Sequence, residues 1–315
     1  MRSTGLDRRH FLMGASSLGL ALSLARPVKA QPSAKTRLIL LGTKGGPRPT
    51  PKGRGNPAQV IVVNDVPYVI DCGSGVADKL ILAGIPLPSL RHVFITHHHS
   101  DHNADYGNLL LLAWASGLKS RVDTWGPPPI AKMTRLFFEM NQYDIEVRIP
   151  DEGRPDLRKL VDVHEFDRAG VVMEDENVRV TAALVDHPPV TPAFAYRFDS
   201  ADRSIVISGD TNYSEALITL AKGADVLVHE ALYLPGLDRL LPKTANADRL
   251  REHIVAAHTS TEDVGRVAAA AGVKTVVLSH LVPGDDPSIS DDDWTAGVRK
   301  HYDGKVIVGR DLMEI

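Results

Sequence analysis

A chain of 315 residues, 43% hydrophobic and 24% charged, is long enough to bury a substantial core and has an ordinary soluble composition. Its formal net charge is −3 and it carries no long basic run, so it lacks the electrostatic footprint of a nucleic-acid partner, and none is expected. Its single cysteine, Cys72, excludes an intrachain disulfide and reads as a buried core thiol.

The first 30 residues stand apart from the rest. Arg8, Arg9, Phe11 and Leu12 precede an apolar stretch over 13–25, and Val28 and Ala30 place small residues where a signal peptidase cuts. The stretch is short for a bilayer span, and the paired arginines resemble a twin-arginine export signal. Residues 1–30 are expected to engage the export machinery, carry a folded protein to the periplasm or beyond, and be cleaved near Ala30. That leaves 31–315 as one domain. The segment holds five basic residues against Asp7, so the mature chain would carry about −7.

Residues 38–41 form a first strand-like run, and 59–63 pairs with 67–70 through the turn residues Asn64 and Asp65. A helix is expected over 76–83, closed by Gly84 and Pro86. The apolar run 92–96 leads into His97-His98-His99-Ser100-Asp101-His102, followed by a helix over 104–116 that stops at Gly117. Residues 121–125 read as a strand, and a helix follows Pro129 to about Asn141. Residues 161–166, 171–174, 178–185 and 193–198 have the content and spacing of antiparallel strands, with a further strand over 204–208. The last third gives helix 213–222, strand 225–229, helix 260–271, strand 275–279 and a closing strand over 305–308. This order predicts two mixed β-sheets packed face to face with helices on both outer faces.

His97, His99, Asp101 and His102 fall within six residues. Imidazole and carboxylate suit zinc, and also manganese or iron. In an extended segment His97 and His99 share one face while His98 points away, and Asp101 and His102 approach from beyond the strand end. Two adjacent metal ions need more donors. His187, Asp210 and His280 each end an apolar strand-like run and are the candidates.

The quartet, with His187, Asp210 and His280, resembles the metallo-β-lactamase fold, an αββα sandwich of the α/β class, over essentially the whole chain after residue 30. Leu40-Leu41-Gly42-Thr43, Val69-Ile70-Asp71-Cys72-Gly73, Ser208-Gly209-Asp210-Thr211, Val228-His229-Glu230-Ala231, His258-Thr259-Ser260-Thr261 and Leu278-Ser279-His280 resemble the ribonuclease Z branch. Gly45-Gly46-Pro47-Arg48-Pro49 and Thr211-Asn212 look most like exported arylsulfatase-like members. The resemblance implies two Zn2+ ions, with Mn2+ or Fe as alternatives. His97, His99 and His187 would hold one, Asp101, His102 and His280 the other, with Asp210 bridging them and Asp71 orienting a ligand histidine. It implies catalytic parts for Asp101, for His258 beside the leaving group and for Glu230 behind it, and it keeps His229 off the metals. His98 departs from the family pattern, where an apolar residue or Thr is more usual.

Two ions about 3.5–4 Å apart would acidify a bridging water and supply hydroxide without a side-chain nucleophile. Ribonuclease Z enzymes carry a long basic arm, commonly between the third histidine and the bridging aspartate. Here His187 to Asp210 spans 23 positions with only Arg197 and Arg203 basic, so transfer RNA is not expected. The expected substrate is a small ester with an aryl leaving group, and the expected activity arylsulfatase-like. Phosphodiester, phosphotriester, carboxyl ester or lactone hydrolysis is the alternative, β-lactam hydrolysis ranks lower, and a non-catalytic metal-binding protein is the different-class alternative. Trp114, Phe137, Phe138, Tyr233 and Trp294 are candidates to line the pocket. Residues 283–294, polar and rich in Gly and Pro, are expected to wall it. Residues 126–138 could join a homodimer interface.

Overall fold

Continuous apolar runs become strands buried on both faces. In the computed structural model, which describes residues 36–49, 53–241 and 246–315, the first strands are β1 (Arg37–Gly42), β2 (Ala58–Val63), β3 (Val66–Ile70), β4 (His92–Phe94), β5 (Val122–Gly126) and β6 (Val161–Glu165). There follow β7 (Gly170–Glu174), β8 (Val178–His187), β9 (Val190–Ser200), β10 (Ser204–Ile207), β11 (Val226–Leu232), β12 (Thr275–Val282), β13 (Lys305–Val308) and β14 (Met313–Glu314). They make two sheets, ordered β14-β1-β2-β3-β4-β5-β6 and β13-β12-β11-β10-β9-β8-β7. Both are mixed: β3 to β6 run parallel beside an antiparallel β1–β2–β3, and β10 to β13 run parallel beside an antiparallel β7–β10.

Alternation along each strand builds three apolar layers. Leu38 and Leu40 face the second sheet, packing with Phe94, Phe194, Tyr196 and Val228. Ile39 and Leu41 face outward beneath helices α1 (Val76–Leu82) and α3 (Tyr106–Ala115), which follows a single turn, α2 (Ser100–Asn103). Helices α4 (Ile130–Met140) and α5 (Gln142–Glu152) complete that outer layer. On the other side Leu227, Val276 and Leu278 lie under α6 (Glu215–Ala221), α9 (Thr261–Ala271) and α10 (Asp291–Val298). Helices α7 (Leu234–Leu240) and α8 (Ala247–Ala257) carry a small apolar cluster of their own around Leu237 and Leu241. The result is the αββα sandwich of the metallo-β-lactamase fold.

Several elements depart from expectation. Val161–Glu165 pairs parallel with β5, because β-branched content marks a strand but not its direction, and α4 and α5 provide the crossover a parallel pair needs. Helix α5 contains Pro150, and α7 begins Leu234-Pro235-Gly236, so both carry residues that read as breakers. Residues 283–294, expected to wall the pocket, are rich in Gly and Pro. Their end starts α10, held by a capping box in which the Ser290 hydroxyl accepts from the Asp293 N–H. The Arg8–Arg9 segment and the cleavage position near Ala30 lie outside the described residues.

Candidate metal centre

Strand termini supply most of the polar side chains at one end of the sandwich. His97 follows the end of β4 and is fully buried, and His187 is the last residue of β8. Asp101 and His102 ride on the single turn α2 rather than on an extended segment, so a helical turn delivers them. His280 is expelled by a bulge in β12: Glu230 opposes Ser279 and Ala231 opposes Leu281, leaving His280 unpaired at φ +42°. Asp71 also sits at positive φ, +60°, and such strain in non-glycine residues concentrates at sites the surrounding structure over-determines. Gly45 lies against the His280 ring, where an added Cβ would come within 2.6 Å of the imidazole.

Hydrogen bonds behind the histidines fix which nitrogen faces inward. His102 Nδ1 donates to Asp71 at 2.7 Å, and His187 Nδ1 donates to the Ala257 carbonyl at 2.8 Å. The Thr96 hydroxyl donates to Asp71 and so accepts from His97 Nδ1 at 3.0 Å. Three Nε2 lone pairs therefore point to the centre. Asp71 also accepts from the Thr96 N–H, and the Gly46 N–H donates to Asp101 at 2.8 Å.

The inward atoms form two groups of mutually close donors, His97, His99, His187 and Asp210, and Asp101, His102 and His280, each within 4.8 Å. Asp210 Oδ2 stands between them, 3.1 Å from His280, 3.3 Å from His102 and 3.8 Å from both His97 and His187. His99 Nδ1 is 3.1 Å from His97 Nε2 and 3.0 Å from His187 Nε2, and no more than one N–H can serve that trio. His102 Nε2, Asp210 Oδ1 and both ring nitrogens of His280 are buried without a hydrogen-bond partner. Converging lone pairs on orphaned buried donors are what a cation satisfies, so the residues fit a dinuclear metal site. The cluster's own electrostatics are opposed. Burial holds His97 well below the usual imidazole value and His99 near about 4. For His280 burial pulls downward, but Asp210 and Asp101 raise it to about 10.

His229 is fully buried, turns Nδ1 onto the Glu230 carbonyl and belongs to neither group. Glu230 holds His258 instead. Its Oε2 accepts from His258 Nδ1 at 2.9 Å, and its Oε1 from the Thr211 N–H at 2.7 Å. Burial lowers the His258 pKa, but Glu230 outweighs it and the net shift is upward. His258 is also within metal-ligand range of Asp210 and His280. Thr96, Thr211 and Lys44, to which the sequence assigned no role at the site, are the further polar residues here; only their place beside strand ends pointed to them. Cys72 is buried and unpaired in the core.

A cavity of about 450 Å³ opens onto His99, Asp101, Asp210, His258 and His280. None of the aromatic candidates lines it. Trp114 is wholly inside the core, Trp294 is 3% exposed and packs on Tyr233, and Phe138 borders a different cavity. Of the 283–294 segment, Pro283 and Asp285 reach it, and the apolar wall comes from α7 and α8.

Residues 68–281 match the family described as Beta-lactamase superfamily domain. A ribonuclease Z of Mycobacterium bovis (strain BCG / Pasteur 1173P2) is 31% identical over 281 residues, which span 88% of this chain and 97% of its own length. A ribonuclease Z of Mycobacterium sp. (strain KMS) is 34% identical over 282 residues, spanning 88% and 95%. The solved metallo-beta-lactamase fold protein YhfI from Bacillus subtilis superposes with a TM-score of 0.65 at 19% identity, covering 89% of this chain and 98% of that one. Human tRNase Z, short form, gives 0.64 at 21%, covering 89% and 98%. Two expectations fall with these relatives: the closest likeness to arylsulfatase-like members, and the exclusion of nucleic acid. The exclusion rested on whole-chain charge and on the short connection from His187 to Asp210, which is the hairpin β8–β9 followed by β10.

Proposed function

The chain belongs to the beta-lactamase superfamily and to its ribonuclease Z-like branch, and from that premise we propose that it is a dinuclear metal-dependent phosphodiesterase acting on RNA. The observation that carries this reading is the convergence of two donor groups on Asp210 beside the His258–Glu230 pair. Two-metal centres recur in phosphatases and nucleases, where attacking and leaving oxygens both need stabilisation. His97, His99 and His187 would hold one ion, Asp101, His102 and His280 the other, and Asp210 both, with zinc first and manganese or iron as substitutes. Such a pair, when bound, supplies an acidified water and Lewis-acid polarisation of a phosphoryl oxygen.

The chain's own residues do the rest. Asp71, Thr96 and the Ala257 carbonyl lock three imidazoles with Nε2 inward, so the centre needs no reorganisation. Glu230 fixes the proton of His258 on Nδ1 and stabilises the imidazolium, leaving Nε2 to give a proton to the departing ribose oxygen. The test is a panel with zinc-loaded protein: bis-p-nitrophenyl phosphate, a short RNA with an unpaired 3′ extension, and p-nitrophenyl sulfate. Turnover of both phosphodiesters, abolished by a chelator and restored by zinc, is expected. Turnover of the sulfate alone, with two metal equivalents bound, overturns the reading.

Export through the Arg8–Arg9 segment is part of the same proposal and rests on sequence. It predicts that Arg8→Lys with Arg9→Lys retains the protein in the cytoplasm on cell fractionation.

A further inference from the structure

Against the metal donors the two sheets do not close completely. A cavity of about 20 Å³ lies there, lined by Gln59, Asp71, Ser208, Asp210, Glu230 and Ser279 among others. We infer that it holds one fixed water, which donates to Gln59 Oε1 and Asp210 Oδ1 and accepts from the Ser279 hydroxyl, so that Gln59 and Ser279 position the shared carboxylate. This inference rests on the dinuclear assignment and on no choice of substrate.

Strand register explains why polar groups meet at this place. Gln59 on β2 pairs with Leu40 and Ile70 and so shares the inward face with Ile61; Ser279 on β12 pairs with Glu230 and follows Val277 on the same face. Leu40, Ile61, Ile70 and Val277 belong to the apolar layer between the sheets, and Gln59 and Ser279 interrupt it at the site end. Both are buried, 4% and 2% exposed. Among the described residues, Gln59 Oε1, Ser279 Oγ and Asp210 Oδ1 are all buried without a hydrogen-bond partner. The neighbouring polar groups are engaged: Asp71 by Thr96 and His102, Glu230 by Thr211 and His258, and Ser208 by the Glu230 N–H and the Gly209 carbonyl. His280 Nδ1, also unpartnered, lies against Gly45.

Three leftover oxygens around one small cavity match the bonding capacity of a water. An amide, a hydroxyl and a carboxylate buried unpaired are each costly, and a buried water makes about three hydrogen bonds to such groups. A cavity of about 20 Å³ takes one water molecule and no organic ligand. Two acceptors use both protons of the water, and the serine hydroxyl uses a lone pair. The consequence falls on Asp210, whose Oδ2 stands between the two donor groups while no protein group holds Oδ1. With Oδ1 held by the water, the carboxylate cannot turn to chelate one ion with both oxygens and leave the other group short of its shared donor.

A high-resolution crystal structure of the zinc-loaded protein tests the water directly. It should show one density peak about 2.7–3.0 Å from all three oxygens. A cavity without density overturns the inference, and so does a peak at about 2.3–2.6 Å, the distance of a bound cation. Gln59→Met and Ser279→Ala test the positioning through zinc affinity. Each should bind a first zinc equivalent as wild type does and the second about tenfold more weakly, the low end for loss of an outer partner. Because both residues act through one water, the double variant should lie within about twofold of the weaker single variant, and the two cobalt-substituted single variants should share one altered visible spectrum. Effects that multiply in the double variant, or a second equivalent bound as tightly as in wild type, overturn the positioning role; if the variants fail to fold, the wild-type density decides alone. Fewer than two zinc equivalents in wild type overturns the dinuclear centre and this inference with it. Two equivalents with the water in place but no phosphodiester turnover overturns the proposed function and leaves this inference standing.

Discussion

Strand β4 delivers an imidazole to each end of the sandwich. At its start His92 stacks on Tyr68, with ring centroids 4.9 Å apart, and lies 3.7 Å from Asp175. Just past its end, His97 meets His99, His102, His187 and Asp210. Both are imidazoles near a carboxylate, His97 fully buried and His92 half-buried, yet only one end gathers a cluster of donors. At His92 the ring is held by stacking and has one acid beside it, and its Nδ1 has no partner. At His97 the ring itself and two of its neighbours, His102 and His187, are oriented from behind, so lone pairs converge. Burial beside an acid makes packing; convergence with fixed tautomers makes a site.

The sharpest way to break that distinction is at the shared donor. Asp210→Ala removes the one carboxylate near both groups, so metal content should fall well below two equivalents. Turnover should drop by more than the roughly 10–100-fold that losing an outer partner costs. Full metal occupancy in this variant, by elemental analysis, would contradict the bridging assignment. His258→Ala should leave metal bound and lower kcat by about 10²–10⁴, the range of a general acid. Loss of metal instead would mean that His258 is a ligand, as its closeness to Asp210 and His280 allows.

The site end of the molecule was more legible than its cap, and the reason is physical. His97, His187, Asp210 and His280 follow apolar runs whose burial on both faces is written in their β-branched content, so their place at strand ends could be read directly. The bulge that turns out His280 could not, because it depends on pairing between β11 and β12. Helices α5 and α7 were not legible because Pro150, Pro235 and Gly236 punctuate them, and packing in the fold outweighs local propensity. The aromatic pocket failed because Trp114 and Trp294 are large apolar side chains, and the core takes those first. The exclusion of nucleic acid leaned on net charge, a whole-chain average that is blind to where Lys44 and Arg48 sit along one cavity.

A milder perturbation separates orientation from ligation. Asp71→Asn keeps a side chain that tolerates φ +60° and can accept from Thr96, but it no longer presents a carboxylate to His102 Nδ1. Zinc affinity should fall by about 10–100-fold with the fold intact, measured by competition with a chelating dye. Unchanged affinity would show that His102 needs no orientation from behind and would weaken the contrast with His92.

The smallest effect lies at the other end of β4. Burial pushes the His92 pKa below its ordinary value; Asp175, Asp123 and Glu176 pull it up and Arg91 pushes it down, without reversing the shift. The unfolded chain therefore takes up a proton near pH 6.5 that the folded protein refuses until lower pH. Neutral His92 contributes its stability above that value, and the contribution is lost as pH falls below about 6.5 toward the folded pKa. His92→Phe preserves an aromatic face for Tyr68 and removes the titration. In zinc-loaded protein the variant should keep metal content and turnover, and its Tm should fall less steeply than wild type between about pH 6.5 and 5. Parallel Tm curves would show that Asp175 compensates the burial in full. A steeper fall in the variant would mean that His92 and Asp175 form a charged pair, making the two ends of β4 electrostatically alike.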